Sequence, residues 1–430
     1  MNDDVLITLD ETSPLAYLAR AESEAANPTH IDFSIASAVE SIAVIGAGTM
    51  GSGIAICALD AGLQVTLVEQ DAGALDAGRE RILKHYERKL KADHAAERAR
   101  RLVCTTDWQS LTHVDAVIEA VFEDLAVKQE VFQRIDKLAR PGALLASNTS
   151  YLDLDGIAGA TKRPRDVVGL HFFSPAHVMR LMEVVRGTES SQQSLATAFV
   201  LAQRFGKLPV LTRNAFGFIG NRVYSAYRAQ CEFMLEEGAY PNEIDATLQA
   251  FGFAMGPFAV ADMSGLDIAW RMRRARAASR PTDVRYVDIP DRLCEAGRLG
   301  RKTGAGYYQY GAGSKHGQPD DIVKAIIDDA RARKGIVPRR LSFEDIRKRA
   351  LLTMVNEAAL LLEEGVAARG PDVDVVLANG YGFPRNQGGP IYWAKAMAPE
   401  TLSRDLAWLA EVSGTGFKPA GRLDLVLGAA

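Results

Sequence analysis

Ser41-Ile42-Ala43-Val44-Ile45-Gly46-Ala47-Gly48-Thr49-Met50-Gly51-Ser52-Gly53 is the stretch from which the fold is read. Ile42 to Ile45 is an apolar run long enough for one buried strand, and Gly46, Gly48 and Gly51 follow it in the spacing G-x-G-x-x-G. Ile54 to Gly62 then reads as a helix. In that setting the first glycine permits a tight turn, the second lets a pyrophosphate approach the backbone, and the third lets helix and strand pack closely. The phosphates would sit at the helix N-terminus, where unpaired N–H groups and the dipole favour anions. A second strand, Gln64 to Val68, ends in Glu69. An acidic residue about 20 positions beyond the glycines is where a Rossmann site grips the adenosine ribose. A 2′-phosphate there would meet a negative charge, so the pattern predicts NAD rather than NADP. Gly46, Gly48, Thr49, Met50, Gly51 and Glu69 are the candidate cofactor contacts. The bland alternative, a glycine-rich turn without ligand, fits poorly once strand, helix, second strand and acid are all in place.

Bulk properties set the limits. A chain of 430 residues is expected to form two or three domains. It is 47% hydrophobic and 24% charged, ordinary for a globular protein in water. A net charge of -4 argues against a general nucleic-acid binder. No apolar run is long enough to span a bilayer, so no membrane role is expected. Met1 to Asp10 is acidic and lacks the basic region of a secretory signal. Cys57, Cys104, Cys231 and Cys294 are scattered without metal-type spacing, so reduced thiols and no metal site are expected. The chain ends Leu-Gly-Ala-Ala, without a Ser-Lys-Leu peroxisomal address. These features together predict a cytoplasmic location.

Residues 1–38 read as a weakly patterned arm, with a short helix over Pro14 to Ala26 broken at Asn27-Pro28. The dinucleotide domain is assigned to 39–213. Gly78 to Arg101 predicts a helix that is basic on one side, through Arg79, Arg81, Lys84, Arg88, Lys89 and Lys91. It is either a solvated face or a contact for the phosphates of a bulky anionic substrate. Further strands are predicted at Ala116–Ala120, Ala143–Ser147, Val167–Leu170, Leu181–Val185 and Leu208–Thr212. Strands alternating with helices imply a mostly parallel, doubly wound α/β sheet. From Phe218 the spacing turns helical. A first helical domain is assigned to 214–311, a linker to 312–340 and a second helical domain to 341–430. The last repeats the first: Met234-Leu235-Glu236-Glu237-Gly238 is echoed by Leu361-Leu362-Glu363-Glu364-Gly365, Phe251-Gly252-Phe253 by Tyr381-Gly382-Phe383, and Gly256-Pro257 by Gly389-Pro390. Lys348 stands near the place that Asn221 holds in the first copy, so the second is expected to be a packing partner. Its apolar face would be Leu351, Leu352, Val355, Ala359 and Leu362.

Four polar residues could carry chemistry. Ser150 follows the fourth strand, His171 the fifth, Glu183 interrupts the apolar run Leu181-Met182-Glu183-Val184-Val185, and Asn221 opens the long helix. In open α/β sheets ligands sit outside the carboxyl ends of strands. Oxidising a secondary alcohol requires a base for the hydroxyl proton, and histidine titrates near neutrality. A carboxylate behind the imidazole would orient it. A serine and an amide could hold the reacting oxygen. Each residue also has a structural reading: a strand-end histidine, a glutamate paired with any cation, a helix cap, a first-turn amide. Spacing alone does not bring the four together.

The segments Ile45 to Ala55, Ser147-Asn148-Thr149-Ser150, His171-Phe172-Phe173-Ser174-Pro175 and Asn214 to Arg222 resemble the L-3-hydroxyacyl-CoA dehydrogenases in order and spacing. Phe251 to Asp262, Gly300 to Tyr310 and Gly380 to Pro390 resemble the dehydrogenase half of the peroxisomal-type multifunctional enzyme of β-oxidation. The resemblance implies that His171 takes the 3-hydroxyl proton, that Glu183 pairs with it, and that Ser150 and Asn221 bond the 3-oxygen of a 3-hydroxyacyl- or 3-ketoacyl-CoA. It places Glu123, Lys128, Asn148 and Lys302 at NAD or its ribose, and the basic helix, with Lys84, Arg88 and Lys91, at the CoA phosphates. It puts the substrate cleft between the NAD domain and the first helical copy. No hydratase-sized segment precedes the dehydrogenase part, which predicts no hydratase activity and leaves room for a separate hydratase or thiolase partner. In the fused enzymes the second helical copy stands in for a dimer mate, so a monomer is open here. Two other readings compete: a dehydrogenase of a small 3-hydroxy acid such as carnitine or gulonate, and a noncatalytic NAD-binding structural protein.

Overall fold

Alternate residues of the predicted strands face opposite ways, and in the computed structural model both sets are buried. One core gathers Ile42, Val44, Val65, Leu67, Ala116, Ile118, Leu144 and Ala146. The other gathers Ala43, Ile45, Val68, Val117, Leu145 and Val167. A sheet covered on both faces is the setting in which near-continuous apolar strands are stable. The structure describes residues 13–428 apart from 276, 278, 279, 282 and 312. The acidic stretch Met1 to Asp10 lies outside the described residues.

Two compact units divide the chain: 1–222 with 364–381, and 223–363 with 382–430. In the first, α1 (Pro14–Ala26) precedes β1 (Ser41–Ile45), α2 (Thr49–Asp60), β2 (Gln64–Val68), α3 (Ala72–Lys89), α4 (Ala92–Arg100) and β3 (Leu102–Thr105). Then come β4 (Ala116–Glu119), α5 (Leu125–Leu138), β5 (Leu144–Ser147), α6 (Leu154–Ala158), β6 (Val167–Phe172), β7 (Leu181–Arg186), α7 (Gln192–Arg204) and β8 (Leu208–Arg213). The eight strands lie in the order β3-β2-β1-β4-β5-β6-β7-β8. All neighbours are parallel except β6 and β7, which run antiparallel with His171 opposite Glu183.

Several expectations need correction. Leu102–Thr105 is an edge strand that the sequence reading passed over; only three apolar residues, Leu102-Val103-Cys104, mark it, and the strand is half-buried or exposed. The basic helix starts at Ala72, where the Asp71 side chain accepts from Ala74 N, and breaks at Leu90-Lys91, both in extended backbone. His171 lies inside β6 rather than after it. The 312–340 stretch, taken as linker, holds the helix Asp321–Arg333, capped by Asp320 and burying Val323, Ile327 and Ala330. Residues 364–381 of the stretch assigned to a second helical domain group with the sheet unit. The reason is the α1 helix, which buries Tyr17, Leu18, Ala21 and Ala25. The Tyr17 hydroxyl donates to Asp374 at 2.7 Å, and Asn379 donates to Glu22 at 2.9 Å.

The second unit is helical. Its elements are the body of α8 (Gly220–Glu237), α9 (Pro241–Phe251), α10 (Pro257–Ser264), α11 (Leu266–Ala275), α12 (Ile289–Glu295), α13 (Asp321–Arg333), α14 (Phe343–Glu363), α16 (Pro390–Lys395), α17 (Pro399–Ser413) and α18 (Leu423–Leu427), with α15 (Gly370–Gly380) in the first unit. The repeated aromatic motifs meet: Phe383 packs edge-on against Phe251 and Phe253. Leu351, Leu352, Val355 and Ala359 are fully buried on α14, while Leu362 is half-buried. Asp245 accepts from Phe258 N, Ala259 N and the Tyr308 hydroxyl. Burial pushes its carboxyl up to about 6.

Candidate active site

The turn after β1 has the geometry of a dinucleotide cradle. Gly46 has φ +102°, and a Cβ there would lie 2.7 Å from the Ala120 carbonyl oxygen. A Cβ on Gly51 would lie 1.8 Å from the Gly46 carbonyl oxygen, so only glycine lets α2 pack so close to the turn. A Cβ on Gly48 would meet nothing within 4 Å, so the backbone there faces open space. Thr49 and Met50 begin α2. Glu69, at the end of β2, accepts from Ala47 N at 3.0 Å and from Gln70 N at 2.8 Å. The acid is thus held against the glycine turn, and this set of groups fits a dinucleotide with free ribose hydroxyls.

Along the sheet, β4 ends in a carboxylate that the sequence reading missed. Glu119 is fully buried. Its oxygens accept from Lys128 Nζ at 2.6 Å, Ser147 Oγ at 2.6 Å and Val121 N at 2.7 Å. Lys128, 1% exposed, also lies 3.3 Å from Glu123. Glu123 in turn accepts from the Thr149 hydroxyl, Ser150 N and Tyr151 N. The predicted cofactor residues Glu123 and Lys128 therefore form a chain that fixes the loop carrying Ser150. Asn148 accepts from Phe172 N at 2.9 Å and so ties β5 to β6. The only sign of Glu119 in the sequence is an acid closing the run Ala116-Val117-Ile118.

His171 and Glu183 are cross-strand neighbours, with His171 Nδ1 2.7 Å from Glu183 Oε2. Both are buried, at 4% and 0% exposure. The other oxygen of Glu183 accepts from Ile219 N and Gly220 N, each at 3.0 Å. These amides converge because Gly217 and Phe218 take φ of +73° and +48°. Positive φ is a strained choice for phenylalanine. Its ring is fully buried and lies beside the imidazole, with centroids 5.6 Å apart. Phe173 flanks the imidazole as well, at 4.5 Å. Glu183 thus anchors both the imidazole and the start of α8. On α8, Asn221 Nδ2 donates to the Ser150 carbonyl at 3.3 Å. Asn214 fastens the same two segments, accepting from Leu154 N and donating to Asp153 and Asp155. Ser150, His171, Glu183 and Asn221, scattered in sequence, all belong to one compact unit.

The basic residues are less gathered. Lys84 pairs with Glu80 at 2.6 Å on the surface of α3. Arg88 is exposed in the last turn of α3, and Lys91 is exposed at the N-terminal boundary of α4. Arg81 donates to the Ala47 carbonyl and the Ser52 hydroxyl, so it braces the glycine turn. Lys302 lies in the helical unit, where it pairs with Asp267.

Residues 41–215 match the family model "3-hydroxyacyl-CoA dehydrogenase, NAD binding domain", and 217–310 match "3-hydroxyacyl-CoA dehydrogenase, C-terminal domain". The chain is 33% identical to the solved (S)-3-hydroxybutyryl-CoA dehydrogenase of Ralstonia eutropha, covering 64% of this chain and all of that one, with a TM-score of 0.59. The chain belongs to the 3-hydroxyacyl-CoA dehydrogenase family. Its first domain is that family's NAD-binding domain. The 3-hydroxybutyryl-CoA dehydrogenase of Escherichia coli K12 is similar over 91% of this chain and 98% of its own, at 26% identity and a TM-score of 0.75. The peroxisomal bifunctional enzyme of Danio rerio is 41% identical over 86% of this chain and 53% of its own length. The chain therefore spans about half the length of the curated relatives it matches. No helix among the described residues of this dehydrogenase-family chain is long and apolar enough to cross a membrane.

Proposed function

We propose that this chain oxidises L-3-hydroxyacyl-CoA to 3-ketoacyl-CoA, as a step of fatty-acid or related acyl-CoA β-oxidation. The reading rests on the His171–Glu183 pair, 2.7 Å apart and buried, with Ser150 and Asn221 in the same unit. NAD, when bound at the glycine turn, supplies the hydride acceptor. His171 takes the proton of the 3-hydroxyl on Nε2, the nitrogen that does not face Glu183. Glu183 holds the Nδ1 side and stabilises the imidazolium that forms. The Ser150 hydroxyl and the Asn221 amide hold the 3-oxygen while it becomes a carbonyl. Burial of the pair keeps water from competing for the proton.

Glu69 holds the adenosine ribose and disfavours a 2′-phosphate, while Glu123 and Asn148 contribute at NAD or its ribose. Lys128 acts through Glu119 and Glu123, because its charge is already paired. Lys84, Arg88 and Lys91 meet the CoA phosphates. Free thiols at Cys57, Cys104, Cys231 and Cys294 suit a reducing compartment, and we read the chain as cytoplasmic. Several relatives are peroxisomal or glyoxysomal by name, so imaging of the tagged protein separates the two locations.

The test is a series of initial rates, with NAD and 3-hydroxyacyl-CoA esters of increasing chain length, and in reverse with acetoacetyl-CoA. Free 3-hydroxy acids form the control. Turnover of the esters alone supports the reading. Turnover of free carnitine or gulonate alone would replace it with a small-acid dehydrogenase, and tight NAD binding without any turnover with a binding protein.

A further inference from the structure

We infer that Tyr381, 160 residues away in the second helical copy, positions Asn221 for the reacting oxygen. The inference rests on the reaction proposed above and adds a residue to it. The repeat was expected to supply packing alone. Instead, the residue just after α15 reaches the start of α8, and Tyr381, Asn221, Ser150 and His171 lie in one compact unit.

The hydroxyl of Tyr381 donates to Asn221 Oδ1 at 2.8 Å. On its other end, Asn221 Nδ2 donates to the Ser150 carbonyl at 3.3 Å. An asparagine amide is nearly symmetric in shape, so its partners decide which end faces which way. The contact to Ser150 is long, and a bond of that length is weak. The Ser150 carbonyl can only accept and so selects the N–H₂ end, while the shorter Tyr381 contact, its hydroxyl donating to Oδ1, holds the amide in that orientation. With Oδ1 held by Tyr381, Asn221 turns its N–H side toward the Ser150 loop, where a 3-oxygen needs a donor. Reversing the amide would set Oδ1 against the Ser150 carbonyl, acceptor against acceptor.

The surroundings are built for this contact. A Cβ on Gly220 would lie 2.2 Å from the Tyr381 ring and 2.7 Å from its hydroxyl, so glycine is what lets the ring come so near. A Cβ on Gly380 would lie 2.6 Å from Leu181 on β7, so the end of α15 also needs a glycine to approach the sheet. The Tyr381 ring meets Phe173 edge-on at 5.6 Å, and Phe173 lies against His171. Tyr381 therefore touches the frames of both the base and the amide, and it acts through them as a positioning residue.

The test is a double-mutant cycle of Tyr381→Phe and Asn221→Ala. Phenylalanine keeps the ring packing and removes only the hydroxyl. We expect kcat to fall roughly tenfold in Tyr381→Phe, the loss of one well-placed hydrogen bond, with KM for NAD unchanged. In the Asn221→Ala background the same change should cost less than about twofold, since the amide it orients is gone. Retained kcat in Tyr381→Phe, or an equal loss in both backgrounds, would overturn the inference. A second reading does not depend on turnover. In 15N-labelled protein, the Asn221 side-chain amide signals, identified by their loss in Asn221→Ala, should shift and exchange faster with water in Tyr381→Phe. Unchanged signals would overturn the inference even in a protein that proves inactive on CoA esters, and shifted signals would support it there.

Discussion

Glu183 faces His171 across neighbouring antiparallel strands, with one carboxylate oxygen on the imidazole and the other on the backbone that opens α8. The same side chain therefore sets the imidazole and the segment that carries Asn221. Glu183→Gln places an N–H₂ group opposite either the imidazole N–H or the two backbone amides. The first favours the tautomer whose Nε2 carries the proton and so cannot act as the base, and the second sets donor against donor. We expect kcat to fall by on the order of 10²–10⁴, with NAD binding retained in fluorescence titrations. A loss below tenfold would show that the pair is structural only.

Glu69 is held at the glycine turn by Ala47 N, where a ribose 2′-phosphate would meet its charge. Wild type should prefer NAD to NADP in kcat/KM. Glu69→Ala should narrow that preference by about tenfold or more, because a like-charge contact is removed. An unchanged ratio in the variant would rule out charge repulsion as the source of the preference.

Lys128 is buried between Glu119 and Glu123. Lys128→Met would leave Glu119 charged and fully buried with no cation. Breaking one side of such a pair costs about 3–5 kcal/mol. Urea unfolding should show a loss of that order, and Lys128→Met combined with Glu119→Gln should regain part of it. Equal stability of wild type and Lys128→Met would show that the variant does not strand an uncompensated charge at Glu119.

Asp245 gives a pH signature of stability. Its carboxyl is pushed up to about 6 by burial, against about 3.9 in an unfolded chain. Between those values the folded protein holds a proton that the unfolded chain has released, so this group's stabilisation is full below the lower value and is lost as pH rises to about 6. The stability of wild type relative to Asp245→Asn should therefore fall from pH 4 to pH 6, by on the order of 2–3 kcal/mol at most, and stay level above. A difference that rises over the same window would reverse the sign and reject the assignment.

Much of this fold could be read from local pattern. Gln64–Val68 and Pro14–Ala26 fall where the sequence puts them, because a short apolar run and a Pro-initiated helix stopped by Asn27-Pro28 are local features. The edge strand Leu102–Thr105 offers only three apolar residues, and the helix break at Leu90 carries no such mark. Residues 321–333 read as linker because a helix with only a narrow buried face looks polar. In the site, the types and order of Ser150, His171, Glu183 and Asn221 were legible, but not their convergence. That depends on the positive φ of Phe218, which nothing in its side chain announces. Tyr381 was hidden by distance. Its motif, Tyr381-Gly382-Phe383, echoes Phe251-Gly252-Phe253, and only the hydroxyl by which it differs from Phe251 reaches Asn221.

The most direct test of the account is NADH formation from L-3-hydroxybutyryl-CoA by wild type and by His171→Gln, with NAD affinity measured separately for each. The account predicts steady NADH production by wild type, a kcat lower by about 10²–10⁴ in His171→Gln, and the same NAD affinity in both. Near-normal turnover by His171→Gln, or no NADH from wild type although NAD binds, would contradict it.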